Sequence, residues 1–370
     1  MVLKQIDLQN FRLHRSTSIV FSDNLNLIIG GNGQGKTSIL EAIYYLCTTK
    51  NLNFAAESDV VTFGEQSFNT EGLFVDLTQN HTRLYYDLMK NRKNYFLDSK
   101  QILSSSDVIG RFPIVTLIQP DHAITLGAPA DRRRFVDSII SQSSHTYLEI
   151  LLEYNKILRQ RSSLLSQIKE FRNSSVIEQL EVWTNSLVNN GSELIRYRLK
   201  FIEEFTTYVI EAYNQIIEND EQPKIEYSTI QNIDYENIKE RFLEEVNAVR
   251  EDELRRGVNL IGPHRDDFIF YITDHELKRF GSQGQHKTFQ IALRFAQFFY
   301  IKEKLGKTPI FLMDDVFGEL DTYRAGKISN YLSQVGQAFI TMTDFSRIEE
   351  LSTLSGSKKI RIENGAATYL

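Results

Sequence analysis

Apolar and polar residues trade places along Leu3-Lys4-Gln5-Ile6-Asp7-Leu8, so the chain up to about residue 30 predicts β-strands, ending in the apolar run Leu25 to Ile29. Ile39, Leu40, Ile43, Tyr44 and Leu46 then fall at helical spacing. Short alternating runs at Phe68 to Asp76, Arg83 to Met89 and Asn94 to Leu97 predict hairpin strands, with Asn91-Arg92-Lys93-Asn94 as a hairpin tip. Ile114 to Ile118 reads as a further buried strand. From about Asp131 to Arg256 the texture changes: glycine nearly disappears, proline occurs once at Pro223, and apolar residues recur at three and four. One such run passes through Phe135, Ile139, Leu148, Leu151, Leu158, Leu165 and Ile168; another passes through Leu180, Trp183, Leu187, Leu194, Phe201 and Phe205. Asn173-Ser174-Ser175 separates them, which predicts an antiparallel helical arm. A helix of some forty residues reaches roughly 60 Å at most. A last helical run through Ile291, Leu293, Phe295 and Phe298 precedes the strand patterns Ile310 to Met313 and Phe339 to Met342. The class is α/β, interrupted by a helical insert.

The turn between the run Leu25 to Ile29 and its following helix reads Gly30-Gly31-Asn32-Gly33-Gln34-Gly35-Lys36-Thr37-Ser38, a complete P-loop in the strand–loop–helix setting it requires. Its glycines let backbone N–H groups converge on phosphate oxygens, and the helix N-terminus adds a positive dipole end. Lys36 is expected to neutralise the terminal phosphates and Thr37 to ligate Mg²⁺. The strand Ile310-Phe311-Leu312-Met313 ends in Asp314-Asp315, the form of a Walker B strand. Asp314 is expected to hold the Mg²⁺ and Asp315 to orient and deprotonate the attacking water. Together these predict a binding site for a nucleoside triphosphate with Mg²⁺; the resemblances below imply ATP. More than half of the chain separates its two halves.

Between them lies Ser282-Gln283-Gly284-Gln285, opening a helix ahead of the Walker B strand. This turn resembles the signature motif of ABC-type ATPases, which caps the γ-phosphate held by the opposite protomer. Glu319-Leu320-Asp321 resembles the D-loop that crosses the dimer seam, with Asp321 as its acid, and Phe339 to Asp344 resembles the last core strand with Thr343 at the switch position. Gln119 resembles the Q-loop glutamine that completes a Mg²⁺ shell.

The start Leu8-Gln9-Asn10-Phe11-Arg12 is shared with SMC-like ATPases, and that resemblance adds Arg12 to the nucleotide-binding set. Three further strings narrow the resemblance to the RecF family: Pro129 through Arg132-Arg133-Arg134 to Asp137, Gly262-Pro263-His264-Arg265-Asp266-Asp267, and Asp314 through Gly318 to Asp321. Gly318 stands where the family usually has serine. The resemblance implies an ABC-type ATPase head (a P-loop and a mixed sheet with flanking helices) interrupted by an inserted antiparallel helical arm domain. Its expected boundaries are 1–127 for the first head half, 128–256 for the arm and 257–370 for the second head half. It further implies a weak, DNA-stimulated ATPase of recombinational repair and replication restart. ATP is expected to join two protomers on duplex DNA near gaps, and RecR and RecO to be partners in loading RecA.

At 370 residues and 41% hydrophobic, the chain can bury one large core and a smaller one. The lone cysteine, Cys47, excludes an internal disulfide framework and falls on the apolar face of the P-loop helix. No stretch has the length and apolarity of a membrane span, and the first residues alternate like a strand, so cytoplasmic residence without a membrane partner is expected. None of the seven histidines is paired with cysteine or histidine at metal-ligand spacing.

Forty-two basic against forty-eight acidic residues leave a net charge of −6, which argues for conditional, salt-sensitive DNA binding through locally gathered basic residues. The candidates are Arg132, Arg133 and Arg134 at the arm's root, and Arg92 and Lys93 at the hairpin tip. Three arginines at a helix start oppose the helix dipole, so an anion is expected beside them. For Gly262 to Asp267 the favoured reading is a local Arg–Asp network. Three other functions share the nucleotide motifs: a transporter ATPase subunit, a scaffold that binds ATP without hydrolysing it, and a break-repair SMC-like ATPase, whose halves would be parted by a long heptad coiled coil that this chain lacks. The long helical insert and Thr343 in place of a switch histidine weigh against the first; Lys36, Asp314 and Asp315 weigh against the second.

Overall fold

Val2–Phe11 belongs to an antiparallel six-stranded sheet ordered His14–Val20, Val2–Phe11, Ser67–Val75, Gln79–Asp87, Arg92–Leu97, Lys100–Ile102. The computed structural model describes all residues but Phe54, Arg172, Asn219, Leu320, Asp321, Ser333 and 344–355. Alternation along Ser67–Val75 buries Phe68, Thr70, Gly72 and Phe74 on one face. On that face lies the helix Lys36–Thr48, whose Ile39, Ile43, Tyr45 and Leu46 share one core with Phe11, Phe68 and Phe74. The approach is close: a Cβ on Gly72 would stand 2.7 Å from Leu46 Cδ1. Phe11 meets Phe68 edge-on at 5.3 Å, and truncating such a ring to alanine costs about 3–5 kcal/mol. Cys47 is buried in this core, and burial raises its thiol pKa, leaving it a small apolar filler.

A second sheet is ordered Ala366–Tyr369, Lys358–Glu363, Leu25–Ile29, Ala338–Met342, Ile310–Asp314, Ile114–Leu117. Its strands run parallel except Ala366–Tyr369, which returns antiparallel from a hairpin turn. Every residue of Leu25–Ile29 and Ala338–Met342 is buried, as in parallel sheets covered on both faces, which is why these strands read as apolar runs broken only by Asn26 and Thr341.

Contacts divide the chain into two units. One comprises Met1–Asp121, Glu211–Asn219 and Ile291–Leu370, and the other comprises His122–Ile210 and Asp220–Gln290. The second opens with the short helix His122–Leu126, followed by the helix Pro129–Ser143, where Pro129 takes the first turn and the Asp131 carboxylate accepts the Ala128 N–H at 3.0 Å. Ser144 caps the next helix, His145–Glu170, by accepting the Tyr147 N–H at 3.2 Å. The expected break follows: Asn173 accepts the Ser175 N–H at 2.9 Å, and Ser174–Ile216 then forms a 43-residue helix, roughly 65 Å long. Tyr147 meets Tyr197 at 5.5 Å, Arg161 reaches Thr184 at 3.0 Å, and Leu165 and Ile168 pack with Leu180. One index rises as the other falls, so the two helices are antiparallel.

Three features differ from the sequence reading. The insert is not wholly helical: Pro223–Ser228 is a strand pairing with Asp267–Ile272, which also pairs with His275–Glu276. Six residues hold too few periods to separate strand from helix, and Pro223 at the strand start was the one local sign. That pairing groups residues 257–290 with the helical unit, whereas the sequence boundaries of 128–256 and 257–370 divide them. The hairpin tip also shifts. Gln79–Asp87 and Arg92–Leu97 are joined by a turn at Leu88 to Asn91, where Asn91 adopts φ 45°. Arg92 and Lys93 are therefore strand residues, opposite Asp87 and Tyr86.

Candidate nucleotide-binding site

The P-loop leaves the sheet between two parallel neighbours, Ala338–Met342 and Lys358–Glu363. Gly30 must lack a side chain, since its Cβ would lie 2.4 Å from the Ile362 carbonyl oxygen; Gly35 adopts φ 102°, a conformation open to glycine. Lys36 folds its ammonium onto the Gly31 carbonyl oxygen at 2.8 Å. Burial lowers its pKa, while the nearby charges of Asp315 and Asp314 work the other way. Thr37 donates its hydroxyl to Asp314, at 2.9 Å from Oδ1 and 3.1 Å from Oδ2. Asn32 to Ser38, Gln119, Asp314 and Asp315 line one cleft of about 340 Å³, within the size range of small-ligand sites.

Thr37, Asp314 and Gln119, a hydroxyl, a carboxylate and an amide, all line this cleft. Hard oxygen donors of this kind fit Mg²⁺, so the residues present suit the expected ion. Asp315, just past the strand end, adopts φ 51°, and Thr343 stands 3.5 Å from its Oδ1. Asp321, the expected D-loop acid, lies outside the described residues.

Sequence reasoning missed two groups around this cleft. Thr341 Oγ1 donates to Asp314 Oδ1 at 2.6 Å and accepts the Asp315 N–H at 2.9 Å. His14, fully buried, places Nε2 3.0 Å from the Gly35 carbonyl oxygen and Nδ1 2.9 Å from that of Gly365. Burial lowers the His14 pKa, against the pull of these two backbone bonds. The turn at Asn364-Gly365 also grips Gln34: its side-chain oxygen accepts the Asn364 N–H at 2.7 Å, and its carbonyl accepts the Gly365 N–H at 3.1 Å. The last hairpin and His14 thus hold the outer side of the P-loop. Arg12, at φ 55°, is turned to the P-loop helix, where Nε and Nη2 bind the Glu41 carboxylate at 3.0 and 3.1 Å.

The signature turn belongs to the second unit. Ser282 Oγ accepts the Gln285 N–H at 3.2 Å and Gln285 Oε1 accepts the Ser282 N–H at 2.8 Å, a reciprocal cap opening the helix Gln283–Leu305. Gln285 Nε2 donates to Glu221 at 2.8 Å. Gln283 and Gly284 form the first turn, whose N–H groups give a helix start its affinity for anions.

The basic candidates separate. Arg132 is buried and forks onto Asp267; Arg133 donates to the Asp266 carbonyl oxygen. Asp266 also takes Arg198 at 3.2 Å and the Tyr227 hydroxyl, while Arg265 donates to the Asn259 carbonyl oxygen at 2.9 Å. The expected network exists, but its arginines come from distant helices rather than from Arg265. Lys93 is likewise drawn in, bound to Glu57 and to the Thr49 carbonyl oxygen. Arg134, 63% exposed and 3.5 Å from Asp131, and Arg92 remain at the surface.

A P-loop sheet, an antiparallel sheet laid on its helix and an inserted helical unit define an ABC-type, SMC-like ATP-binding head. The model of the RecF/RecN/SMC N terminal domain matches residues 2–364. The chain is 40% identical over 362 residues to the DNA replication and repair protein RecF of Chloroherpeton thalassium, spanning 95% of this chain and 98% of that one. It is 35% identical to the RecF protein of Salinibacter ruber over 93% and 85% of the two chains. The chain belongs to the RecF family. The ATP-bound structure of the recombination mediator RecF of the RecFOR pathway matches at TM-score 0.90 and 29% identity, over all of this chain and 97% of that one. A Pyrococcus furiosus Smc head, at TM-score 0.59 and 14% identity over 100% and 95% of the chains, shares the fold. Among the described residues, no helix is long and apolar enough to cross a membrane.

Proposed function

We propose that this chain is an ATP-driven switch of recombinational repair and replication restart, hydrolysing ATP slowly with stimulation by DNA. The observation that carries the reading is the bond between Thr37 and Asp314, which joins the P-loop to the Walker B strand across 277 positions of sequence. Similarity to RecF along nearly the whole chain, including an ATP-bound relative, supports it.

In this reading the N–H groups of Gly31 to Gly35 receive phosphate oxygens, and Lys36 exchanges the Gly31 carbonyl for the terminal phosphates. Thr37, Asp314 and Gln119 would hold Mg²⁺, which supplies neutralisation of phosphate charge when bound. Asp315 orients the attacking water and accepts its proton. Two protomers close head to tail, each ATP lying between Gly30–Ser38 of one and Ser282–Gln285 of the other, with Asp321 and Thr343 at the seam. The γ-phosphate then bridges subunits, so ATP favours the dimer and ADP releases it, through binding energy present in the closed state alone. Closure gathers surface cations such as Arg134 and Arg92 against duplex DNA near single-strand gaps. RecO and RecR are the expected partners, with RecA loading as the outcome and the cytoplasm as the place.

Analytical ultracentrifugation tests this. ATP with Mg²⁺ should raise the mass from monomer to dimer, short duplex DNA should promote it, and ADP or the Lys36→Ala substitution should prevent it. A monomer under all conditions would overturn the switch.

A further inference from the structure

We propose that Thr341 is a positioning residue of the nucleotide site, setting the Asp314 carboxylate and the Asp315 backbone with one hydroxyl. This rests on the nucleotide-binding reading above and deepens it. Thr341 is 1% exposed and lies directly beside Asp314 in the parallel register of Ala338–Met342 with Ile310–Asp314. A hydroxyl carries one proton. Asp314 Oδ1, at 2.6 Å, is an acceptor, so the Thr341 proton points there; the lone pairs then face the Asp315 N–H at 2.9 Å. Both bonds can form together, and each strengthens the other.

The two bonds answer two needs. Asp315 stands at φ 51°, a left-handed conformation that a non-glycine residue keeps only where its surroundings hold it. The bond to its N–H is such a hold, and it fixes the direction in which the Asp315 side chain leaves the strand end. Asp314 meanwhile receives Thr37 and Thr341 on the same oxygen, Oδ1. Thr37 belongs to the set expected to hold Mg²⁺, whereas the Thr341 proton is committed to the carboxylate. As a metal ligand gains from the neighbours that orient it, Thr341 should govern how well Asp314 presents its oxygens. A threonine placed merely to fill the sheet would be replaceable by valine, which has the same shape and suits a strand equally.

The test compares Thr341→Val, which keeps the shape and loses both bonds, with Thr341→Ser, which keeps the hydroxyl. A fluorescent ATP analogue is titrated with and without Mg²⁺, and steady-state turnover and melting temperature are measured beside it. Thr341→Val should bind the metal-free analogue like wild type, lose roughly tenfold of the Mg²⁺-dependent gain in affinity, and lose at least about tenfold in turnover. Thr341→Ser should stay within about threefold of wild type in both. Should the valine variant unfold, Thr341→Ala replaces it with the same expectations. A non-hydroxyl variant with the wild-type Mg²⁺ gain and turnover would overturn the proposal while leaving the nucleotide site intact. A wild-type chain that binds no analogue would overturn the nucleotide reading, and this proposal with it.

Discussion

Arg132 and Asp267 meet as a planar fork on a carboxylate, Nε to Oδ1 at 2.7 Å and Nη2 to Oδ2 at 2.8 Å, with the arginine side chain 6% exposed. Two sequence strings, one starting the helix Pro129–Ser143 and one opening the strand Asp267–Ile272, are therefore partners. The anion demanded by three arginines at a helix start is supplied from more than a hundred residues away. Arg132 acts inside the fold, whereas its neighbour Arg134 stays at the surface.

Arg132→Ala should accordingly cost about 3–5 kcal/mol of unfolding free energy, because it leaves Asp267 without its counter-charge in a partly buried place. Arg134→Ala should change stability by less than about 0.5 kcal/mol yet weaken DNA binding and reduce its salt slope by about one. Chemical denaturation and fluorescence anisotropy over a salt series separate the two. A stable Arg132→Ala would mean that the fork contributes little.

The proposed sharing of sites between protomers makes a kinetic prediction. Asp315→Asn is expected to bind ATP and stay dimeric with little turnover, since the water-activating carboxylate is gone. Ser282→Arg should stop hydrolysis in the opposite protomer, so mixing it with Lys36→Ala rescues at most one of two sites. Rates measured across mixing ratios decide this. Wild-type turnover in Asp315→Asn would assign proton acceptance to another group, and a wild-type chain that binds ATP without measurable turnover would favour the non-hydrolysing scaffold.

The hold of the final hairpin on the P-loop gives a third prediction. Gln34→Ala deletes one bond, from the Asn364 N–H to Oε1, and should weaken ATP and ADP alike by about three- to tenfold. His14→Leu removes the contacts to Gly35 and Gly365 and should weaken both nucleotides further. Isothermal titration with each nucleotide checks this; unchanged affinities would show the loop to be self-supporting.

His264 predicts an acid sensitivity. Burial lowers its pKa to about 4, with Arg265, Arg133 and Arg161 adding to the effect and a backbone bond to Asn259 opposing it. The unfolded chain takes up its proton near pH 6.5, so its contribution to stability is complete above that pH. The contribution falls as pH drops from about 6.5 towards 4, by up to about 3 kcal/mol in total. Denaturation midpoints from pH 7.5 to 4 should show this slope in wild type and lose part of it in His264→Asn. Parallel curves would place the acid response elsewhere.

The parts legible in sequence are those whose physics is local. The P-loop, the Walker B strand and the break at Asn173 each declare themselves within a few residues. What escaped depends on neighbours distant in the chain. Thr341 is one of two threonines ending a buried strand, and only the fold shows that it, as well as Thr343, faces the paired aspartates. His14 matters through Gly35 and Gly365, on either side of most of the sequence. The arginines of Gly262 to Asp267 were sought next door and came from Arg132 and Arg198. Lys93 read as a surface charge because its partners, Glu57 at the start of a four-residue helix and the carbonyl oxygen of Thr49 capping the P-loop helix, are more than thirty residues away in sequence.

Leu25–Ile29 lies between strands made more than three hundred residues later, and the glycine turn beyond it is clasped by Asn364-Gly365. On the ribosome, then, the fuel pocket must wait as a half-built fragment until residues 338–365 have been made, since its walls do not yet exist. Nascent chains arrested before residue 338 are expected to pass through ATP-agarose, and released full-length chains to be retained. Retention of the arrested chains would show that the early fragment assembles a pocket unaided. As built, the pocket has its walls only once the two distant stretches of sequence lie side by side, so a fragment that stops short of residue 338 carries a phosphate loop without the strands and turn that brace it.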